Sequence, residues 1–194
     1  NRQKGGSREA GKLLSTFLNN RGENYQFEMS SPISAEKSCS RLSTHLTYGT
    51  ISHRSVFQEA TQKKEKIQLT NKNFAKSINS FLSRLHWRSH FIQKLEDQPS
   101  IEHESFIPVY DQIREKDFRK LDAWIEGKTG VHFIDACMIY LRNHGWINFR
   151  MRAMLASFAS YNLWLDWRYF GPRLAALFLS LIHISETTRR PKIS

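Results

Sequence analysis

Apolar residues recur at every third or fourth position through most of the chain, and no sustained two-residue alternation breaks that rhythm. Ala10, Leu13, Leu14, Phe17 and Leu18 predict a helix over Ser7 to Asn20, with Arg21-Gly22 as its stop. Asn24 to Ser40, rich in Ser and holding Pro32, reads as an irregular loop. Short helices follow over Arg41 to Tyr48 and Ser52 to Lys66, with Gly49 between them and a solvated basic tract at Lys63, Lys64 and Lys66.

From Phe74 the spacing of Ile78, Phe81, Leu82, Leu85 and Ile92 predicts one long helix ending near Leu95, before Asp97 and Pro99. Its opposite face gathers Arg84, Trp87, Arg88 and Phe91, so cations and flat rings share a stripe. Further helices fit Lys116 to Glu126, Phe133 to Asn143, Trp146 or Phe149 to Leu165, and Pro172 to about Leu181, punctuated by Gly127, Gly130, Gly145 and Gly171. An all-α, multi-helical lobe is expected, and a single helical unit is the simplest count.

Composition agrees with a folded chain, since 40% of residues are hydrophobic and 12% aromatic, enough to build a core. A formal charge of +11 favours polyanionic partners such as nucleic acid or an anionic membrane surface, or serves solubility alone. Two cysteines exclude a disulfide framework and, with no signal peptide in view, point to a cytoplasmic protein. The longest apolar run, Leu174 to Ile184, is broken by Ser180 and His183 and is too short for a membrane span of about 20 residues.

Candidate chemistry is thin when each motif stands alone. Gly127-Lys128-Thr129-Gly130 lacks the earlier glycine of a phosphate loop, Asp122 standing in its place, and follows a helix rather than a strand. His86 and His90 are four residues apart without a third metal ligand, so no metal is expected. Ser38 to Ser43 could wrap a diphosphate with hydroxyls and backbone N–H groups, or serve only to cap a helix. Arg84, Trp87, Arg88 and Phe91 suit phosphate contact and base stacking; equally, the helix could be packed on both faces with Trp87 in the core. Trp146, Trp164 and Trp167 stand near Arg150, Arg152 and Arg168, a second aromatic and basic cluster.

The series is more specific than its parts. Ser40-Arg41-Leu42-Ser43, Tyr48-Gly49-Thr50-Ile51-Ser52, Leu85-His86-Trp87-Arg88, Trp124 to Gly130, Asp135-Ala136-Cys137-Met138, Gly145 to Arg152, Ala156-Ser157-Phe158 and Asp166-Trp167-Arg168 resemble, in order and spacing, the DNA photolyase/cryptochrome family over about Gly5 to Leu179. The resemblance implies a helical lobe holding U-shaped FAD, whose reduced, light-excited flavin gives an electron to a pyrimidine dimer flipped out of damaged DNA, its polymer partner; extrusion costs least at a poorly stacked site.

By position, the resemblance makes Tyr25, Cys39, Ser40, Arg41, Leu42 and Ser43 FAD contacts and sets Arg152 beside the isoalloxazine. Trp87 would pack on the lesion, with Arg84, Arg88, Phe91, Phe149 and Arg150 in DNA-facing segments, and Trp167 would be the middle of the tryptophan chain that photoreduces FAD. Arg84 stands where cyclobutane-dimer photolyases usually carry Glu, Phe149 where they carry Asn, and Asn162 where an Asp would pair with Arg152; Arg114 falls about where the outermost chain tryptophan would lie. These departures alter the lesion pocket.

Residues 1–179 are therefore expected to form part of an FAD- and DNA-binding helical domain, incomplete at its C-terminal end, and 180–194 an atypical tail. The opening at Asn1 without Met suits a fragment, monomeric and inactive by itself, of a deoxyribodipyrimidine photo-lyase-like parent; the antenna pigment is left open. A cryptochrome-like blue-light receptor without repair activity, and a cofactor-free basic helical DNA-binding module, are the alternative readings.

Overall fold

A computed structural model describes residues 2–111, 113–114 and 116–178, which form helices and turns without an extended strand among them. They fall into two compact units, Lys4–Glu102 and a second beginning at His103. The expectation for 180–194 lies outside the described residues.

The first unit opens with α1, Ser7–Thr16, which runs straight into a π-helical turn at Phe17–Arg21. The turn closes where Gly22 N–H donates to the Phe17 carbonyl at 2.9 Å, and a Cβ at Gly22 would lie 2.6 Å from that carbonyl oxygen. Only glycine fits there without backbone movement. The predicted irregular loop instead winds into two single turns, α2 at Tyr25–Glu28 and α3 at Ala35–Ser38; periodicity needs more than one turn to register, which explains the difference.

After α4, Ser43–Thr47, come two long helices, α5 at His53–Ile67 and α6 at Lys72–Asp97. Asn71 starts α6 by accepting from Phe74 N–H at 3.0 Å, and its amide also donates to Glu23 at 2.8 Å. The buried face of α6 holds Phe74, Ile78, Phe81, Leu82 and Leu85, packed with Leu14, Phe17, Leu18, Tyr25, Leu42, Val56 and Ala60. The predicted apolar face ran on to Ile92, but Ile92 and Leu95 are exposed, because the buried cluster that packs on α6 ends at Leu85.

The second unit contains α7 at Phe118–Glu126, α8 at His132–His144, α9 at Phe149–Ser157 continuing into a π turn at Phe158–Asn162, and α10 at Trp167–Leu177. Trp124, fully buried, packs edge-on to Phe170 at 5.6 Å between ring centroids, within a core of Leu121, Met138, Leu141, Leu155 and Leu174. The last helix was expected to start at Pro172. It starts at Trp167, because the Asp166 carboxylate accepts from Arg168 N–H at 2.9 Å and caps it there, leaving Pro172 inside. A proline marks a first turn only when no stronger cap precedes it.

The Gly-Lys-Thr-Gly segment proves to be a helix stop. Gly127 takes φ 71 at the end of α7, where a Cβ would meet Ile139 at 2.9 Å, and Asp135 then accepts from Thr129 N–H at 2.9 Å, Thr129 Oγ1 at 2.6 Å and Gly130 N–H at 2.9 Å. The donors that a phosphate would need are already engaged by a carboxylate.

Candidate functional site

In the first unit the π turn re-aims the end of the α1 helix, and with it Arg21. From Nη1 Arg21 donates to the carbonyls of Lys37 at 3.0 Å and Cys39 at 2.8 Å, and from Nη2 to those of Leu13 at 3.1 Å and Ser40 at 3.5 Å. One guanidinium thus fastens the Ser-rich loop to the first helix. Arg21 was expected only as part of a helix stop; its clamp role has no local signal, because the partners are carbonyls up to nineteen residues away.

The loop it holds carries the expected diphosphate contacts. Leu42 is 1% exposed and anchors the loop in the core, so its backbone alone can meet a ligand, whereas Ser40 is half-buried and Ser43 exposed. Arg41 has the left-handed φ of 63 and pairs with Glu36 at 3.5 Å. No serine caps α4, whose N-cap is Leu42 without a side-chain bond. Ser40 Oγ instead accepts from Leu42 N–H at 3.5 Å, within the loop itself.

Behind the loop, Tyr25 is wedged edge-on against Phe17 at 5.6 Å and Phe81 at 6.2 Å. Burial pushes its hydroxyl up to about 12, with the neighbouring Cys39 adding to the rise and the Arg84 guanidinium opposing it. Burial likewise pushes the Cys39 thiol up to about 11 against the pull of Arg41 and Arg21. Both groups are neutral at physiological pH. Tyr25, Cys39, Arg41 and Arg84 thus form one electrostatic neighbourhood within the unit.

Further along α6, Trp87 is 50% and Phe91 57% exposed, their rings 5.7 Å apart and tilted by 32°. Trp87 is therefore no core residue. His90 stands edge-on to Trp87 at 6.1 Å, while His86 packs on Phe57 at 5.1 Å, so the two histidines serve separate contacts. Arg88 is half-buried and donates to the Leu46 carbonyl at 3.5 Å, which ties part of its side chain to the fold. Arg84 is exposed on the same helix.

In the second unit, Arg152 lies on α9 with its guanidinium 4.2 Å from the Phe178 ring centroid, and its Nε is buried without a hydrogen-bond partner among the described residues. Burial pulls the guanidinium below its ordinary value. With Asn162 at the position expected to hold an Asp, the cation has no carboxylate partner among the described residues. Phe149 and Arg150 are exposed at the start of α9.

Trp167 opens α10, its indole donating to Ser105 Oγ at 3.3 Å. Arg114 lies over the rings of Trp164 at 4.8 Å and Tyr161 at 5.1 Å, and donates to the Ser160 carbonyl and hydroxyl. Where the resemblance expects an outer tryptophan, a cation covers two other aromatic rings. Among the described residues no group of three His, Cys, Asp or Glu could hold a metal, and no helix is long and apolar enough to cross a membrane.

The family described as the FAD binding domain of DNA photolyase matches residues 81–181. Relatives include a deoxyribodipyrimidine photo-lyase of Streptomyces griseus, 33% identical over 164 residues, covering 84% of this chain and 33% of that protein. A cryptochrome-1 of Spalax judaei is 30% identical over 167 residues, covering 84% of this chain and 28% of that protein. Among solved structures, a bacterial class III photolyase from Agrobacterium tumefaciens superposes with a TM-score of 0.80 at 26% identity, covering 91% of this chain and 35% of that one. The chain spans about a third of the length of such relatives. A family match over more than half of the chain, on a helical architecture shared with a solved photolyase, establishes that this chain belongs to the DNA photolyase/cryptochrome family.

Proposed function

We propose that this chain contributes the flavin-cradling and lesion-facing helices of a deoxyribodipyrimidine photo-lyase that binds FAD and acts on damaged DNA. The observation that carries the reading is the exposed Trp87–Phe91 pair on the family-matched stretch, flanked by Arg84 and Arg88. Flat rings beside cations stack on a base whatever its identity while phosphates are held alongside.

Each unit by itself presents groups that fit part of FAD. Arg152 offers a buried Nε without a hydrogen-bond partner among the described residues, a group whose desolvation is unrewarded until an electron-rich partner meets it. The loop of Ser40, Arg41 and Ser43, held in place by Arg21, offers hydroxyls to a diphosphate and a cation that it would share with Glu36, 3.5 Å away. Reduced FAD, when bound and excited by light, supplies the electron that splits the dimer.

The chain's own work is to position and to exclude. Trp87 and Phe91 receive the extruded base, whose poor stacking lowers the cost of leaving the duplex. Arg84, beside the buried Tyr25 hydroxyl, brings positive charge to a position where a carboxylate would repel phosphate. In this reading Trp167, whose indole donates to Ser105, would serve as an electron relay to the flavin.

A receptor without repair activity is the second reading, favoured by Arg84 and Phe149, which change both charge and shape where the lesion would sit. The deciding test uses this chain and a version extended to the length of its relatives. Each is loaded with FAD, followed by flavin fluorescence, and assayed for blue-light repair of a dimer-bearing oligonucleotide. Flavin binding with repair supports the photolyase reading, flavin binding without repair supports the receptor, and DNA binding by a flavin-free protein supports the cofactor-free module.

A further inference from the structure

At the other end of α6 lies an open groove of about 410 Å³ that the flavin and lesion readings leave unused. Lys64 of α5 and Lys72 and Lys76 of α6 line it, together with the amides of Gln26, Gln68 and Asn79, and no carboxylate does. Lys64 Nζ donates to Asn79 Oδ1 at 3.2 Å, which draws its charge across toward α6. None of the three lysines makes an ion pair among the described residues.

A surface lysine is ordinarily solvated and needs no partner. Three that converge on one concave wall, with no carboxylate in its lining, repel one another and raise the local potential for an anion. Amide donors around them add hydrogen bonds that suit phosphate oxygens.

The register of α6 relates this groove to the aromatic pair. At about 100° per residue, the eleven positions from Lys76 to Trp87 return to within roughly 20° of the same direction, and the rise separates them by about 16 Å. Lys72, Lys76, Asn79, Ser83, Trp87 and His90 are all exposed on that one face. A polymer of phosphates lying along α6 would meet the lysines first and the rings later.

The geometry points to the Lys64–Lys72–Lys76 groove as an anchor for the phosphate backbone of DNA, gripping the undamaged flank about 16 Å from the base that meets Trp87. The assignment rests on the DNA-binding reading above and adds to it a second, sequence-independent contact. Duplex phosphates advance about 3.4 Å per strand along the axis, so the separation corresponds to roughly five nucleotides.

The experiment measures binding of an undamaged and a dimer-bearing duplex across a salt series by fluorescence anisotropy, with K64Q/K72Q/K76Q, the pair K72Q/K76Q, and W87A beside the unaltered protein. Circular dichroism checks folding, and the pair stands in should the triple variant not fold. Each lysine that meets phosphate contributes about 0.9 to the slope of log affinity against log salt, so the triple variant should flatten it by about 2 to 3 while keeping the preference for damage. W87A should do the reverse.

A folded lysine variant with an unchanged slope overturns the anchor while leaving the lesion reading intact. Unaltered protein that binds neither duplex overturns both. Equal loss of affinity for anionic phosphatidylserine vesicles, with DNA binding retained, would reassign the groove to a lipid surface and overturn the inference.

Discussion

Arg21 Nη1 stands 2.8 Å from the carbonyl oxygen of Cys39, and that bond joins the π turn at the end of α1 to the loop expected to meet the cofactor. π turns inside helices often mark functional positions because the extra residue redirects the side chains after it. Here the redirected side chain satisfies carbonyls of a loop that has little regular structure of its own.

Replacing Arg21 by Ala should therefore destabilise the first unit by about 2–4 kcal/mol, since several half-buried carbonyls lose a charged donor together. Urea unfolding followed by circular dichroism measures this. R21K should recover only part, because an ammonium cannot span the same fork of acceptors. A midpoint unmoved in R21A would mean that the loop keeps its shape without the clamp.

Much of the fold was legible because long amphipathic helices write themselves into the spacing of apolar residues. Helices α5 to α8 fall within two residues of their expected bounds. The single turns at Tyr25–Glu28 and Ala35–Ser38 left no such trace, and the start of α10 was masked by Pro172, a strong local signal overridden by the Asp166 cap. The stripe of Trp87 and Phe91 could be placed on one face from spacing alone, yet whether that face was covered depended on neighbours. Arg21 was illegible for the same reason, and so was the Lys64 groove, which the sequence presents only as part of a basic tract.

Alkaline pH should loosen the first unit. Tyr25 and Cys39 both carry raised values when folded, about 12 and about 11, so between their ordinary values and these the folded chain keeps protons that the unfolded chain releases. Their contribution is full below about pH 9 and is lost as pH rises through 11 to 12. Stability measured in urea at pH 8 and pH 11 should fall by roughly 3–4 kcal/mol. Y25F should remove part of that slope, and a pH-independent stability would contradict the burial assigned to both groups.

Arg152 makes the opposite kind of prediction, one in which stability and binding separate. A buried guanidinium nitrogen without a partner among the described residues costs desolvation and returns little in the flavin-free protein. R152L should therefore leave the melting temperature unchanged or raise it, while FAD binding weakens by about tenfold or more, equivalent to about 1.4 kcal/mol. Thermal melts and flavin titration on the same preparations check both halves. A variant that lost stability yet bound FAD normally would make Arg152 a structural residue.

Trp87 and Arg88 are neighbours in sequence but should fail differently when removed. Half of Trp87 is exposed and its ring contacts are with Phe91 and His90 on the same helix, so W87A should cost little stability, under about 1 kcal/mol. What it removes is a stacking face, worth about 1–3 kcal/mol for each base it holds. Its loss should therefore fall mainly on damaged DNA, narrowing the preference for damage by about tenfold while undamaged DNA binds nearly as before. Arg88 is half-buried with one nitrogen on the Leu46 carbonyl, so R88A should lower stability as well as the salt dependence of binding. Anisotropy with paired damaged and undamaged duplexes separates the two. Equal losses for both duplexes in W87A would remove Trp87 from the lesion and leave it as one more surface aromatic on α6.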